Sequence, residues 1–239
     1  MSSALIILLN TIDYLFWLVP GLTLTLWAWA RITRAWAAGS RIPSAAGVTG
    51  AEAAAIVMRE GGVTGVVIEE AAGDLADHFD PKGRVLRLSR AVYAGRSLSA
   101  VGLAAHEAGH AIQDAAGYPI LVVRNLIVPL AGLGSRVFWL MMTAGFLLEI
   151  ARLIRWGVIL FLVMVAIQLI ALPVEFDASR RGRRLLQSTG IMGDQEDGVV
   201  SRVMNATAWT YVAATLTGVI TIIDDLVALG SPARRHRRD

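Results

Sequence analysis

The 239-residue chain contains no cysteine. That absence excludes disulfides, thiolate zinc sites, iron–sulfur clusters and cysteine nucleophiles, and leaves the redox state of the compartment unread. Charge is also scarce. Only 17 % of the residues are Asp, Glu, Lys or Arg, where a soluble domain carries roughly 25 %. The apolar set reaches 55 % and the mean hydropathy is +0.58, which excludes a disordered chain and an ordinary soluble domain. Histidine is rare, at four residues. The formal net charge is +3 and the sequence pI near 9.8. Arginine clusters beside apolar runs read as membrane orientation before nucleic acid, so no nucleic-acid partner is expected.

A bilayer core needs about 20 apolar residues as helix. Ala4 to Ala30 supplies them, with Asp13 as the lone charge. No basic region precedes this run, and it is too long for a cleavable signal peptide. Arg31, Arg34 and Arg41 follow it, which places the next segment in the cytoplasm by the positive-inside rule. A second apolar region runs from about Leu121 to Leu148, interrupted by Arg124, Pro129 and Arg136. Two readings of Arg136 stand: a mid-depth residue facing a partner or cavity, or a headgroup residue. A third run, Trp156 to Val174, has no charge at all. The short link Glu149–Arg155 makes these two an antiparallel hairpin. A fourth, weaker run covers about Ala206 to Ile223. The basic tail from Ala233 conflicts with four full crossings, so either the fourth helix stops short or packing overrides the tail.

The largest polar block is 40–120. Thr49-Gly-Ala-Glu52 reads as a capping box opening a helix of about 51–60, ended by Gly61-Gly62. Val63 to Glu69 reads as a strand. Asp80-Pro81-Lys82-Gly83 reads as a type I turn between Asp77-His78-Phe79 and Arg84–Leu88, which makes a β-hairpin with Leu86 and Leu88 on its dry face. A helix then runs from Ser97 or Ser99 to about Ala116, stopped by Gly117 and Pro119.

That helix carries His106-Glu107-Ala108-Gly109-His110. Positions i and i+4 share a helix face, so both imidazoles reach one Zn²⁺ at the required 2.0–2.1 Å or so. Glu107 stands beside the first ligand, where it can take a proton from activated water. The alternatives are coincidence or a pair of satisfied helix histidines. A catalytic site needs a third protein ligand. His236 lies in the basic tail and is discounted. Glu175, directly after the third apolar run, is brought back to the side of the histidine helix by the two crossings of the hairpin; the competing reading is a solvated acid at a helix start.

With these residues in view, the chain resembles the YugP-like neutral zinc metallopeptidases of bacterial membranes. The matching stretches are Leu75–Pro81, Val85–Ser89, Val92-Tyr93, Gly102–Gln113 and Leu172–Arg180. It is similar, more distantly, to HtpX-type membrane proteases. The resemblance spans roughly residues 45–230. It implies a mainly α membrane protein: a zincin-like, gluzincin-type HExxH domain with a small β-hairpin or sheet, plus about four membrane helices. It implies one Zn²⁺ held by His106, His110 and Glu175, with Glu107 as general base. It also implies an integral protein of the bacterial inner membrane with its active site at the cytoplasmic face. The organisation expected is an N-terminal anchor (1–31), a catalytic block (40–120), a membrane hairpin (121–174), a segment with the third ligand (175–204) and a fourth helix with tail (205–239). The HtpX-type pattern has an Asp four residues after the liganding Glu; here that position is Ser179, and Asp177 is the nearby carboxylate.

Two further residues have competing readings. His78 or Tyr93 donates to the oxyanion if the hairpin lies beside the metal; otherwise His78 is structural, bonding within its turn. Arg180, Arg181, Arg183 and Arg184 are a headgroup-facing cluster or a substrate clamp. The leading function is a zinc endopeptidase acting on peptide or protein substrates beside membrane lipid. A site-2-type intramembrane protease would carry a second, LDG-like motif with a liganding Asp inside an apolar helix, and the sequence has no such motif. A zinc-binding scaffold without turnover is the alternative outside enzymes. A transporter lacks its inverted repeat.

Overall fold

The structure is a computed structural model and describes residues 3–73, 76–148, 150–206, 208, 209, 212, 213, 215 and 216. The elements are α1 (Ser3–Ser40), α2 (Gly50–Glu60), β1 (Val67–Ala71), β2 (His78–Asp80), β3 (Val85–Ser89), α3 (Arg90–Tyr93), α4 (Leu98–Ala115), α5 (Pro119–Leu147), α6 (Ala151–Ser188) and α7 (Asp194–Met204). The protein is mainly helical with one three-stranded sheet. It divides into two compact units. One comprises Met1–Trp29, Val128–Leu169 and Thr210–Asp239, the other Ala30–Ile127 and Ile170–Trp209.

Within the first unit, α5 and α6 run antiparallel. Phe138 stacks near Phe161, with ring centroids 5.3 Å apart, Gly134 faces Met164, and Gly157 faces Met142. Glycines at such a seam let two helices approach closely. Leu130, Leu133, Trp139, Leu140, Trp156, Ile159 and Val163 are left exposed. Of the four membrane helices expected, two are long and apolar enough to cross a bilayer among the described residues, Pro119–Gly145 and Arg152–Ser188. The N-terminal run is helical in α1 but is not one of these two. Most of the fourth run, and the tail with His236, lie outside the described residues.

The second unit is built on α4. Ala104, Ala105 and Ala108 are fully buried, and the helix packs against α2, α7 and the sheet. Thr49 and Glu52 form the capping box at the start of α2, and Ser97 caps α4 by accepting from the Ala100 amide at 3.3 Å. The expected hairpin is β2–β3, antiparallel, with His78 opposite Arg87. Leu86 and Leu88 are buried, while Arg87 reaches Asp80 at 3.3 Å and Glu69 at 3.6 Å. The first strand begins at Val67, later than the Val63 expected from β-propensity. Gly62 and Gly65 both take positive φ, 74° and 71°, so the chain turns twice before it extends. β1 then pairs parallel to β3, giving the order β1-β3-β2.

The stretch after the third apolar run also departs from expectation. The competing reading of Glu175 is an acid at the start of a new helix. Instead α6 continues through Pro173 to Ser188, as apolar helices can when the freed backbone group is satisfied by its neighbours. Glu175 therefore lies inside a long helix, not at the start of a new one.

Candidate metal centre

Two glycines decide how α4 and α6 meet. A Cβ on Gly109, inside the His-Glu-Ala-Gly-His run, would overlap the Ala178 carbonyl of α6. A Cβ on Gly182 of α6 would overlap the Ala105 carbonyl of α4. The helices thus cross at backbone contact, and Glu175 comes against the two histidines. His106 and His110 stand one turn apart with ring centroids 4.9 Å apart and planes at 81°. Glu175 Oε2 is 3.2 Å from His106 Nε2 and 3.7 Å from His110 Nε2. All three side chains are buried, and one ligand atom from each lies within 4.8 Å of the others.

The hydrogen bonds around these groups fix their protons. Gln113 donates through Nε2 to the Val174 carbonyl at 2.8 Å and to Asp177 Oδ2 at 2.9 Å. Both amide hydrogens are then used, so Oε1 is the atom facing His110 Nδ1 at 3.0 Å. Nδ1 must carry the proton, and Nε2 keeps a lone pair. His106 Nδ1 lies 2.9 Å from Ser179 Oγ, whose hydroxyl donates to the Met204 carbonyl at 3.1 Å. Ser179 can only accept from the ring, so His106 Nε2 also keeps a lone pair. Partners of this kind orient ligating histidines in metal sites.

With both rings neutral, three acceptor atoms converge with no hydrogen bond donor among them, which is unfavourable unless a cation, a proton on an imidazole or a metal ion, lies between. In a zinc tetrahedron with bonds of about 2.05 Å, ligand atoms are separated by about 3.3 Å, and the 3.2 and 3.7 Å separations straddle that value. The residues fit Zn²⁺. In the second unit Arg124 Nη2 donates to the other carboxylate oxygen, Glu175 Oε1, at 3.0 Å, so one oxygen is tied off and the other faces the imidazoles. Burial lowers the basicity of His110, but the hydrogen bond and charge of Glu175, with the charge of Glu107 behind it, outweigh burial and leave its pKa raised. The same cationic demand is visible there.

Glu107 is buried on α4 and close enough for its charge to act on His110. His78 is not one of the three clustered residues. It is exposed on β2, and its Nδ1 donates to the Ala76 carbonyl at 2.7 Å. Tyr93 is half-buried in the core beside Val92. Sequence reasoning missed Gln113, although it stands at i+3 from His110 on the same helix face. It also treated Arg124 as an interruption, where a charge in an apolar run is itself a signal of function.

Comparison with known proteins agrees with this chemistry. Residues 14–229 match the family described as "Putative neutral zinc metallopeptidase". The chain is 40 % identical, over 210 residues, to the "Putative membrane protease YugP" of Bacillus subtilis, covering 88 % of this chain and 93 % of that one. No solved structure matches.

Proposed function

The chain belongs to the neutral zinc metallopeptidase family, and from that premise we propose that it is a membrane-associated zinc endopeptidase in which His106, His110 and Glu175 hold the metal and Glu107 is the general base. The observation that carries this reading is the convergence of three buried lone-pair donors whose other atoms are all tied off. Zinc bound there would supply Lewis acidity, polarising a peptide carbonyl and lowering the pKa of water.

The chain's own groups do the rest. The Glu107 carboxylate accepts a proton from the attacking water and passes it to the leaving amine nitrogen. Ser179 and Gln113 hold each imidazole in the tautomer that keeps Nε2 free. Arg124 holds Glu175 to one productive oxygen. β2 is an edge of the sheet and packs against α4, so an extended peptide or protein substrate can add as a further strand. Arg31, Arg34 and Arg41 support a cytoplasmic position for this unit, and the helices Pro119–Gly145 and Arg152–Ser188 support two crossings.

Two glutamate variants test the assignment on detergent-solubilised protein. Glu107→Gln retains close to one zinc per chain while hydrolysis of an unfolded protein falls about 10²–10⁴-fold, the worth of a general base. Glu175→Ala loses zinc first and activity with it. If Glu107→Gln loses the metal and Glu175→Ala keeps it, the roles are wrong. If the wild type binds zinc and cleaves nothing, the chain is a scaffold.

A further inference from the structure

Beyond Glu175, α6 shows two different faces. Ala178, Gly182 and Leu186 are buried, and Gly182 meets the backbone of α4. The positions Arg180, Arg183, Arg184 and Gln187 follow i, i+3, i+4, i+7, the spacing of a single helix face. An amphipathic helix would normally place its apolar stripe at such positions. Here they line a cavity of about 360 Å³, closed on the other side by Ser201, Met204 and Asn205 from α7 and its C-terminal cap. The volume falls in the lower part of the range for small-ligand sites.

The chemistry of the lining is one-sided. Three guanidinium groups and four neutral polar side chains line the space, and no carboxylate does. Arg183 is fixed in place by Asp197, 2.6 Å from its Nε, and lies 3.4 Å from Ser201 Oγ. Arg180 and Arg184 are exposed and form no ion pair among the described residues. One guanidinium is therefore preorganised and two are available, with the planar fork that matches phosphate oxygens. Ser179 is also in the wall, but its hydroxyl is spent on His106 and Met204.

We infer that the α6–α7 cavity is a binding site for a phosphate group, separate from the metal centre and backing onto it through Ser179. Two sources offer that chemistry, the headgroup of an anionic phospholipid and free phosphate. The cluster follows an uncharged apolar run on the same helix, the sequence context in which basic residues meet anionic lipid.

The test uses the full chain, delipidated in a neutral detergent. Inorganic phosphate and dioctanoyl phosphatidylglycerol are titrated separately, with binding read by native mass spectrometry and by the shift in Tm. Saturable binding is expected for the wild type, and at least a tenfold weakening for the Arg180→Ala/Arg184→Ala double variant. Arg59→Ala, an exposed arginine on α2, should bind as the wild type does. Arg180→Lys/Arg184→Lys keeps the charge without the fork, should bind with intermediate affinity, and serves if the alanine pair fails to fold. Tighter binding of phosphatidylglycerol than of phosphate by tenfold or more identifies lipid as the source; equal affinity identifies free phosphate. No saturable binding of either probe, or unchanged affinity in both double variants, overturns the inference.

Discussion

Ser179 Oγ lies 2.9 Å from His106 Nδ1, on the residue four positions beyond the proposed glutamate ligand, and its own hydrogen goes to the Met204 carbonyl. A neutral hydroxyl thus stands where the HtpX-type pattern has an Asp. Ser179→Ala removes the acceptor and frees the His106 ring to change tautomer. Zinc affinity, measured by competition with a chelator, should fall about 10–100-fold, while the helical content of the variant stays at the wild-type level. Unchanged affinity would show that the bond does not orient the ligand.

Gly109→Ala tests the helix crossing. The new methyl group overlaps the Ala178 carbonyl, backbone that cannot rotate aside, and overpacking of this kind costs about 1–3 kcal/mol. Tm and zinc occupancy should fall together, because the same displacement moves Glu175 from the histidines. Gly132→Ala is the control. Nothing lies within 4 Å of a Cβ at that position, and the variant should match or exceed the wild type in Tm.

For His78, the bond from Nδ1 to the Ala76 carbonyl favours the structural role. His78→Ala should keep kcat within about tenfold of wild type. A loss of about 10²–10³ with zinc retained, the size expected for one missing oxyanion donor, would restore the catalytic reading.

The second unit joins residues from both sides of the apolar hairpin in sequence, 30–127 and 170–209. Reporter fusions after residues 45 and 190 should therefore report one compartment, and the cytoplasm is the outcome expected from the arginine flank. Opposite compartments would separate Glu175 from His106 and His110 and remove it as a ligand.

Much of the site was legible in the residues because it obeys local rules. The i, i+4 histidines, the Thr49–Glu52 capping box and the Asp80–Gly83 turn are each set within a few positions of chain. The place of Glu175 was left open by its position alone; the parity of two crossings allowed it beside the histidines, and the family resemblance implied it. What escaped was long-range or contrary to local preference. The parallel pairing of β1 with β3 has no signature in either strand. The continuation of α6 through Pro173 runs against the proline signal, and α4–α6 packing around Gly109 and Gly182 accompanies it. Arg124 meets Glu175 from 51 positions away, so only its anomaly among apolar residues marked it.

The crossing of α4 and α6 has a consequence for chain entropy. No covalent cross-link is available to a sequence without cysteine, but a zinc ion shared by His110 and Glu175 ties together positions roughly sixty-five residues apart, and a bridge closing a loop of that length removes about 4 kcal/mol of freedom from the unfolded chain. In a bilayer the intervening hairpin already holds the loop ends near each other, so less remains for the ion to remove. The metal should accordingly stabilise the protein far more in denaturing detergent than in lipid, and it should do so equally in Glu107→Gln, which has no turnover to lose.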